Sequence, residues 1–264
     1  SRLTLTFSPK SFQSAFFPAE ARPAASFASF AVNKGFEQMR VLVAYPGVNV
    51  KIVGTHCGIS IGEDGPSQMA IEDIGLACSL PGFVVLSPAD EVAMRAAVFA
   101  AAEHRGPVYI RAGRPKAPVI YAPEQQFPLG KAIEVFPGKD LTIIATGLLV
   151  AEAVRARAEL EAGGVSVRLL DMHTIKPLDA AAIAGAATET GAIVVAEEHL
   201  ADGGLGVRVA QLVARTHPCP MEFVGLDDTY AESATPEQLL EKYGLTSRNI
   251  VAAAHRVLAR KKAG

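Results

Sequence analysis

The 264-residue chain carries 25 Lys and Arg against 27 Asp and Glu, a net charge of −2, and 50% of its residues are hydrophobic. That length and apolar content suit one large or two ordinary domains with real cores, and the near-neutral balance argues against the basic surplus by which nucleic acid or anionic lipid is recognised. Cys57, Cys78 and Cys219 are odd in number and lack paired spacing, which points to a reducing cytoplasm, with no cluster that proposes a metal site.

The longest apolar stretches, 96–102 and 180–187, are Ala-rich helical faces too short to span a bilayer. The opening SRLTLTF has no charged-then-apolar signal layout and no initiator Met, so the chain is expected to begin inside a gene product. Residues 1–30 are rich in phenylalanine but show no clean helix or strand period. From Phe27 to Arg40 the apolar spacing reads as a helix, with core as the default role for Phe27 and Phe30.

Residues 49–54 are an apolar strand. Residues 68–80 have helical spacing, 83–86 are a strand, and Asp90 and Glu91 place carboxylates at the start of a helix that Gly106-Pro107 stops. Residues 108–111 form another buried strand. This β-α-β-α-β alternation implies a parallel sheet with right-handed crossovers and with ligand loops at the carboxyl ends of the strands, where His56 and Arg111 to Arg114 fall.

Five prolines between 115 and 139 break the pattern like a linker. A second alternation follows: strand 141–146, helix 148–162, strand 165–171, helix 178–190, strand 192–196, helix 205–216, strand 221–225, and closing helices at 236–243 and 247–261. The expected fold is α/β, two tandem three-layer domains with mainly parallel sheets. Lys176-Pro177 and the glycine cluster at 203–206 are no phosphate loop; a tight turn is the expected role.

The run GTHCGISIGEDGPSQMAIED at 54–73 follows the first strand with three loop glycines, one histidine and four carboxylates. Glycine supplies backbone freedom, while His56, Asp64 and Gln68 supply donors and acceptors for a polar substrate. The run resembles the substrate loop of transketolases, which move two-carbon ketol units between sugar phosphates with thiamine diphosphate. The resemblance extends through FASF and FEQMR, SPADE, YIRAGRP, DMHTIKPLD and AEEHLADGGLG.

It covers the carboxyl-terminal half of that enzyme only. It implies a pyrimidine-binding domain at 1–120, a linker at 121–134 and the family's carboxyl-terminal domain at 135–264. The separately encoded bacterial and archaeal form is the most similar. An amino-terminal partner subunit would hold the diphosphate and Mg2+, since the chain has no Gly-Asp-Gly…Asn motif, and self-association into a dimer of heterodimers is implied.

The resemblance also implies roles. Phe27 and Phe30 would stack on the pyrimidine, two aromatics three apart on one helical face. His56 would lie near the substrate phosphate, Asp64 would orient substrate hydroxyls, and Arg114 would clamp the phosphate, with Arg111 readable for the same task. Gln68 stands where many members have a second histidine, and Ser1 would match a serine of the phosphate loop. Glu197, Glu198 and His199 resemble a turn of no catalytic role, which leaves the second domain to assembly.

One departure is plain. Between Glu20 and Arg22 the family has a helical stretch with an Ile-Ala-Glu-Gln motif, whose Glu protonates the pyrimidine, and this sequence lacks it. Without such an acid, cofactor activation is expected to be slower by about 10² to 10⁴. The alternatives are another thiamine diphosphate enzyme, a 2-oxo acid dehydrogenase beta subunit or deoxyxylulose-phosphate synthase, and a catalytically silent binding or assembly subunit.

Overall fold

The computed structural model of the protein describes residues 21–263. Strand β1 (Arg22–Phe27) leads into a helical segment, α1 (29–44), in which π-type turns over Ser29–Lys34 and Met39–Ala44 flank one α-turn at Phe36–Gln38. There follow β2 (Val50–Thr55), α2 (Asp73–Ser79), β3 (Val84–Leu86), α3 (Glu91–Glu103) and β4 (Val108–Arg111). Next come β5 (Ile133–Phe136), β6 (Leu141–Ala145), α4 (Leu149–Ala162), β7 (Val167–Asp171), β8 (Thr174–Lys176) and α5 (180–190). The chain ends with β9 (Ile193–Leu200), α6 (Leu205–Thr216), β10 (Met221–Leu226), α7 (Pro236–Lys242) and α8 (Ser247–Ala263).

Two α/β sheets result. The first runs β1-β2-β4-β3-β8, parallel except that β8 joins β3 antiparallel; the second runs β10-β9-β6-β7-β5, parallel except for β5. β3, β4 and β6 are mostly apolar because each is buried throughout, Arg111 and Thr142 being their polar members. Asp90 caps α3 by accepting the Ala93 N–H, and Thr235 with Gln238 forms a capping box on α7.

The two domains interlock. Strand β8, from the second half of the chain, completes the first sheet. Ile59, Ile61 and Ile71 of the loop after β2 lie in the same core as Leu141, Ile143, Val194 and Leu226 of the second sheet. Burying each such side chain contributes about 1.5–3 kcal/mol, so the loop is fixed by the second domain rather than left to solvent.

Several expectations are corrected. Phe27 closes β1 instead of opening a helix, because Arg22 to Phe27 pair in register with Val50 to Thr55. Residues 68–72 run as turn and bridge, Gly58 pairing with Ala70, and α2 begins only at Asp73. Residues 133–136, inside the proline-broken stretch 115–139, form β5 on β7. Strand β9 extends to Leu200, so Glu197, Glu198 and His199 belong to a strand, not a turn. Ser1 and the phenylalanines of residues 1–20 lie outside the described residues.

Candidate active site

β2 delivers the chain to the site at its carboxyl end. Gly54 is required there, since a β-carbon would stand 2.6 Å from the Tyr109 hydroxyl and 2.9 Å from the Ala28 side chain. Two residues on, His56 adopts φ 60°, the only non-glycine residue in the left-handed region among the described residues. Such a backbone costs about 1–2 kcal/mol in an L-residue and persists where the surroundings enforce it, commonly at functional sites.

The strain aims the imidazole. Its ring stacks on Phe27 with centroids 3.9 Å apart at 16°, and Phe27 stacks on Phe30 at 5.8 Å and 9°. Nδ1 lies 2.8 Å from Thr55 Oγ1, which turns Nε2 to the other side. Phe27 and Phe30 therefore meet each other, one ending a strand and the other in the first turn of a helix, rather than sharing a helical face. Phe30 is 37% exposed, and the Lys34 ammonium stands 4.5 Å from its ring.

Arg114, just beyond β4, joins this group. Its guanidinium donates to the Ile61 carbonyl at 2.6 Å and approaches Asp64 at 3.6 Å and Glu63 at 3.9 Å. Arg114 is 43% and Asp64 38% exposed, so both can turn to a ligand. Partial burial first, and then the positive charge of Arg114, hold the His56 pKa below the ordinary imidazole value; Asp64 opposes them. His56 is therefore neutral at pH 7. Gln68 donates to Ser67 Oγ at 3.2 Å on the flank of the loop, and no hydrogen bond joins it to His56, Asp64 or Arg114 among the described residues.

Behind the loop stands a buried polar bracket that sequence patterns did not reveal. Asp73 Oδ2 accepts from the Tyr109 hydroxyl at 2.6 Å and from Arg111 Nε at 2.8 Å. Arg111 also donates to the carbonyls of Glu198 and Ala70. With 6% exposure it is spent on structure, whereas Arg114 is partly exposed.

Glu198 accepts the Ser60 N–H at 2.7 Å, and Glu197 accepts the N–H groups of Leu205 and Gly206 at the start of α6. His199 donates from Nδ1 to the Leu200 carbonyl and accepts the Gly75 N–H at Nε2. Burial raises the pKa of both glutamates, while these donors and Arg111 oppose it. The segment read as an inert turn is thus the strut between the second domain and the site loop. Its one sequence signal was three consecutive polar residues after an apolar run.

Among the described residues no His, Cys, Asp and Glu cluster could hold a metal ion, and no helix is long and apolar enough to cross a membrane. Comparison with known proteins gives two family matches: the transketolase pyrimidine binding domain over residues 20–119 and the transketolase C-terminal domain over 130–250. A 6-deoxy-6-sulfo-D-fructose transketolase subunit of Clostridium sp. is 41% identical over 236 residues, covering 89% of this chain and 73% of that protein.

A putative transketolase C-terminal section of Methanocaldococcus jannaschii is 40% identical over 230 residues, 86% of this chain and 72% of the relative. Mouse transketolase is 37% identical over 231 residues, and the chain spans only 37% of its length. A solved structure described as a split gene transketolase, inactive beta4 tetramer, matches with a TM-score of 0.86 at 44% identity, covering 90% of this chain and 77% of its own.

Proposed function

Since the chain belongs to the transketolase family, we propose that it is the carboxyl-terminal subunit of a thiamine diphosphate-dependent transferase of two-carbon ketol units between sugar phosphates. In this reading residues 1–120 are the pyrimidine-binding domain, 121–134 the linker and 135–264 the carboxyl-terminal domain. The observation that carries it is the left-handed His56, stacked on Phe27, which in turn stacks on Phe30, beside the Arg114 and Asp64 pair at the carboxyl ends of β2 and β4.

The residues present fit the pyrimidine half of the cofactor. Phe27 and Phe30 are parallel within 9°, and the partly exposed Phe30, backed by Phe27 and His56, gives a flat ring for a heterocycle to stack on once the Lys34 ammonium 4.5 Å from it turns aside. When bound, the cofactor supplies an electron sink for cleavage of the carbon–carbon bond. The sequence has no Gly-Asp-Gly…Asn motif, so the diphosphate and its Mg2+ are assigned to an amino-terminal partner subunit.

The chain's own side chains then handle the substrate. Arg114 pairs with the sugar phosphate, a planar donor array on a dianion, and gives up its loose contacts with Asp64 and Glu63 to do so. Asp64, released, accepts from substrate hydroxyls. Neutral His56 offers Nε2 beside the phosphate, and Gln68 lines the loop toward the substrate. The free thiols of Cys57, Cys78 and Cys219 accord with a cytoplasmic setting.

A second reading is a silent binding subunit, favoured by the lack of the Ile-Ala-Glu-Gln stretch after Glu20. One experiment separates the two. The chain is mixed with the amino-terminal section of a split transketolase, Mg2+ and thiamine diphosphate, and ketol transfer is assayed with the separate chains as controls. Activity on mixing alone supports ketol transfer; cofactor binding without turnover supports the silent subunit; activity of the lone chain overturns both. Pyruvate in place of the ketose phosphate tests the other thiamine diphosphate enzymes.

A further inference from the structure

Arg208, Gln211, Leu212 and Arg215 follow one another on α6 at intervals that place them on one helical face. That face meets Leu178 and Ala180 at the start of α5, and the six residues line a pocket of about 130 Å³. The lining thus combines two arginines and a glutamine with the apolar Leu178, Ala180 and Leu212.

Their charge is unbalanced. Arg155, Arg157, Arg168, Arg248, Arg256 and Arg260, the other arginines after residue 135, each reach a carboxylate. Among the described residues Arg208 and Arg215 have no such partner. Arg208 is half-buried and its Nε is enclosed without an acceptor. Arg157 and Arg168 also have an enclosed Nε, but their terminal nitrogens reach Glu161 and Glu189.

Leaving a guanidinium donor desolvated and unpaired is unfavourable, and an oxyanion is its natural partner. Lys176 adds a third cation nearby, and the charge of Arg208 adds to burial in holding its pKa down. The carboxylate of Asp179, between Leu178 and Ala180, accepts the N–H groups of Ala182 and Ala132, and among the described residues it forms no ion pair with Arg208 or Arg215.

We infer that this pocket binds a phosphate-sized tetrahedral dianion, free or as the end group of a phosphate monoester, through Arg208, Arg215 and the Gln211 amide. The volume equals about four water molecules, room for one such group and not for a nucleoside. The inference does not rest on ketol transfer.

The test follows the arginine Nε–H resonances of the full chain by NMR while inorganic phosphate replaces chloride at constant ionic strength. The Arg208 signal is expected to move saturably, in the native chain and equally in Arg114→Gln, which removes the candidate substrate clamp. In Arg215→Gln, at a more exposed position than Arg208, the apparent Kd should rise about tenfold or more, the loss of one charged hydrogen bond.

Ribose 5-phosphate distinguishes the sources: tighter binding than inorganic phosphate in the Arg114→Gln chain identifies a monoester site, equal or weaker binding a free-anion site. An Arg208 signal that stays still, drifts without saturating, or saturates unchanged in Arg215→Gln overturns the inference.

Discussion

His56 combines backbone strain with its proposed role at the site. Its φ of 60° suits glycine, yet the imidazole stacked on Phe27 is what the position presents to the site. His56→Gly and His56→Ala both remove the ring, but only Gly relieves the backbone. The glycine variant should be more stable than the alanine variant by about 1 kcal/mol in denaturant unfolding, with activity of the reconstituted enzyme lost in both. A smaller gap, or none, would mean that the loop relaxes around residue 56. Titration gives a second check. Arg114→Gln removes a cause that lowers the His56 pKa, and Asp64→Asn removes the one that raises it. By NMR the pKa should move up in the first variant and down in the second. Because the folded value lies below the ordinary one near 6.5, acidification through that value protonates the unfolded chain first and lowers stability. Arg114→Gln should weaken this acid sensitivity.

Among the elements, the loop between β2 and α2 depends most on β9. Gly58 has φ +75°, and a β-carbon there would stand 2.2 Å from the Glu198 carboxylate. Gly58→Ala should therefore exceed the cost of about 1–2 kcal/mol for an alanine in a left-handed backbone. Glu198→Ala leaves the Ser60 N–H buried without an acceptor and should cost about 1–3 kcal/mol. The double variant should lose less than the sum, since removing the carboxylate makes room for the methyl group. Denaturant midpoints of the three variants measure that coupling. The same contact shows where sequence reading stopped. β4 and α6 were legible because an apolar run or a helical period marks each, and Val108–Arg111 and Leu205–Thr216 match the bounds read from the pattern. His56, Asp64 and Arg114 stood out as candidates because they lie in contiguous motifs. β1 was not, because its small, mostly exposed residues give an edge strand no alternating face. Glu198 and Ser60 are 138 positions apart, and the buried charges of β9 interrupt the apolar pattern by which a strand is recognised.

At the scale of the molecule, the domain junction and the outer face of α1 each predict a solution property. Asp171 lies at the junction with its carboxylate buried; Tyr121 donates to one oxygen, and the other has no partner. Burial pushes its pKa up to about 7, above the unfolded value near 3.9. The stability it contributes is therefore full below about pH 3.9 and is lost as pH rises through 7. Asp171→Asn should unfold at higher denaturant than the native chain above pH 7, and the advantage should shrink on acidification. The end of α1 and the turn after it are apolar where water meets them: Leu42 is 64% and Tyr45 90% exposed, and Val41 and Val48 are exposed beside them in sequence. Exposed large apolar side chains grouped in this way mark an interaction site, and self-association is the occupant proposed for a subunit of this family. Leu42→Asp with Tyr45→Asp should therefore lower the mass measured by sedimentation equilibrium toward the 27.7 kDa of one chain. The fold should be retained, because neither side chain belongs to the core. An unchanged oligomer would move the interface elsewhere and leave this face to the amino-terminal partner, whose binding the same variant would then weaken.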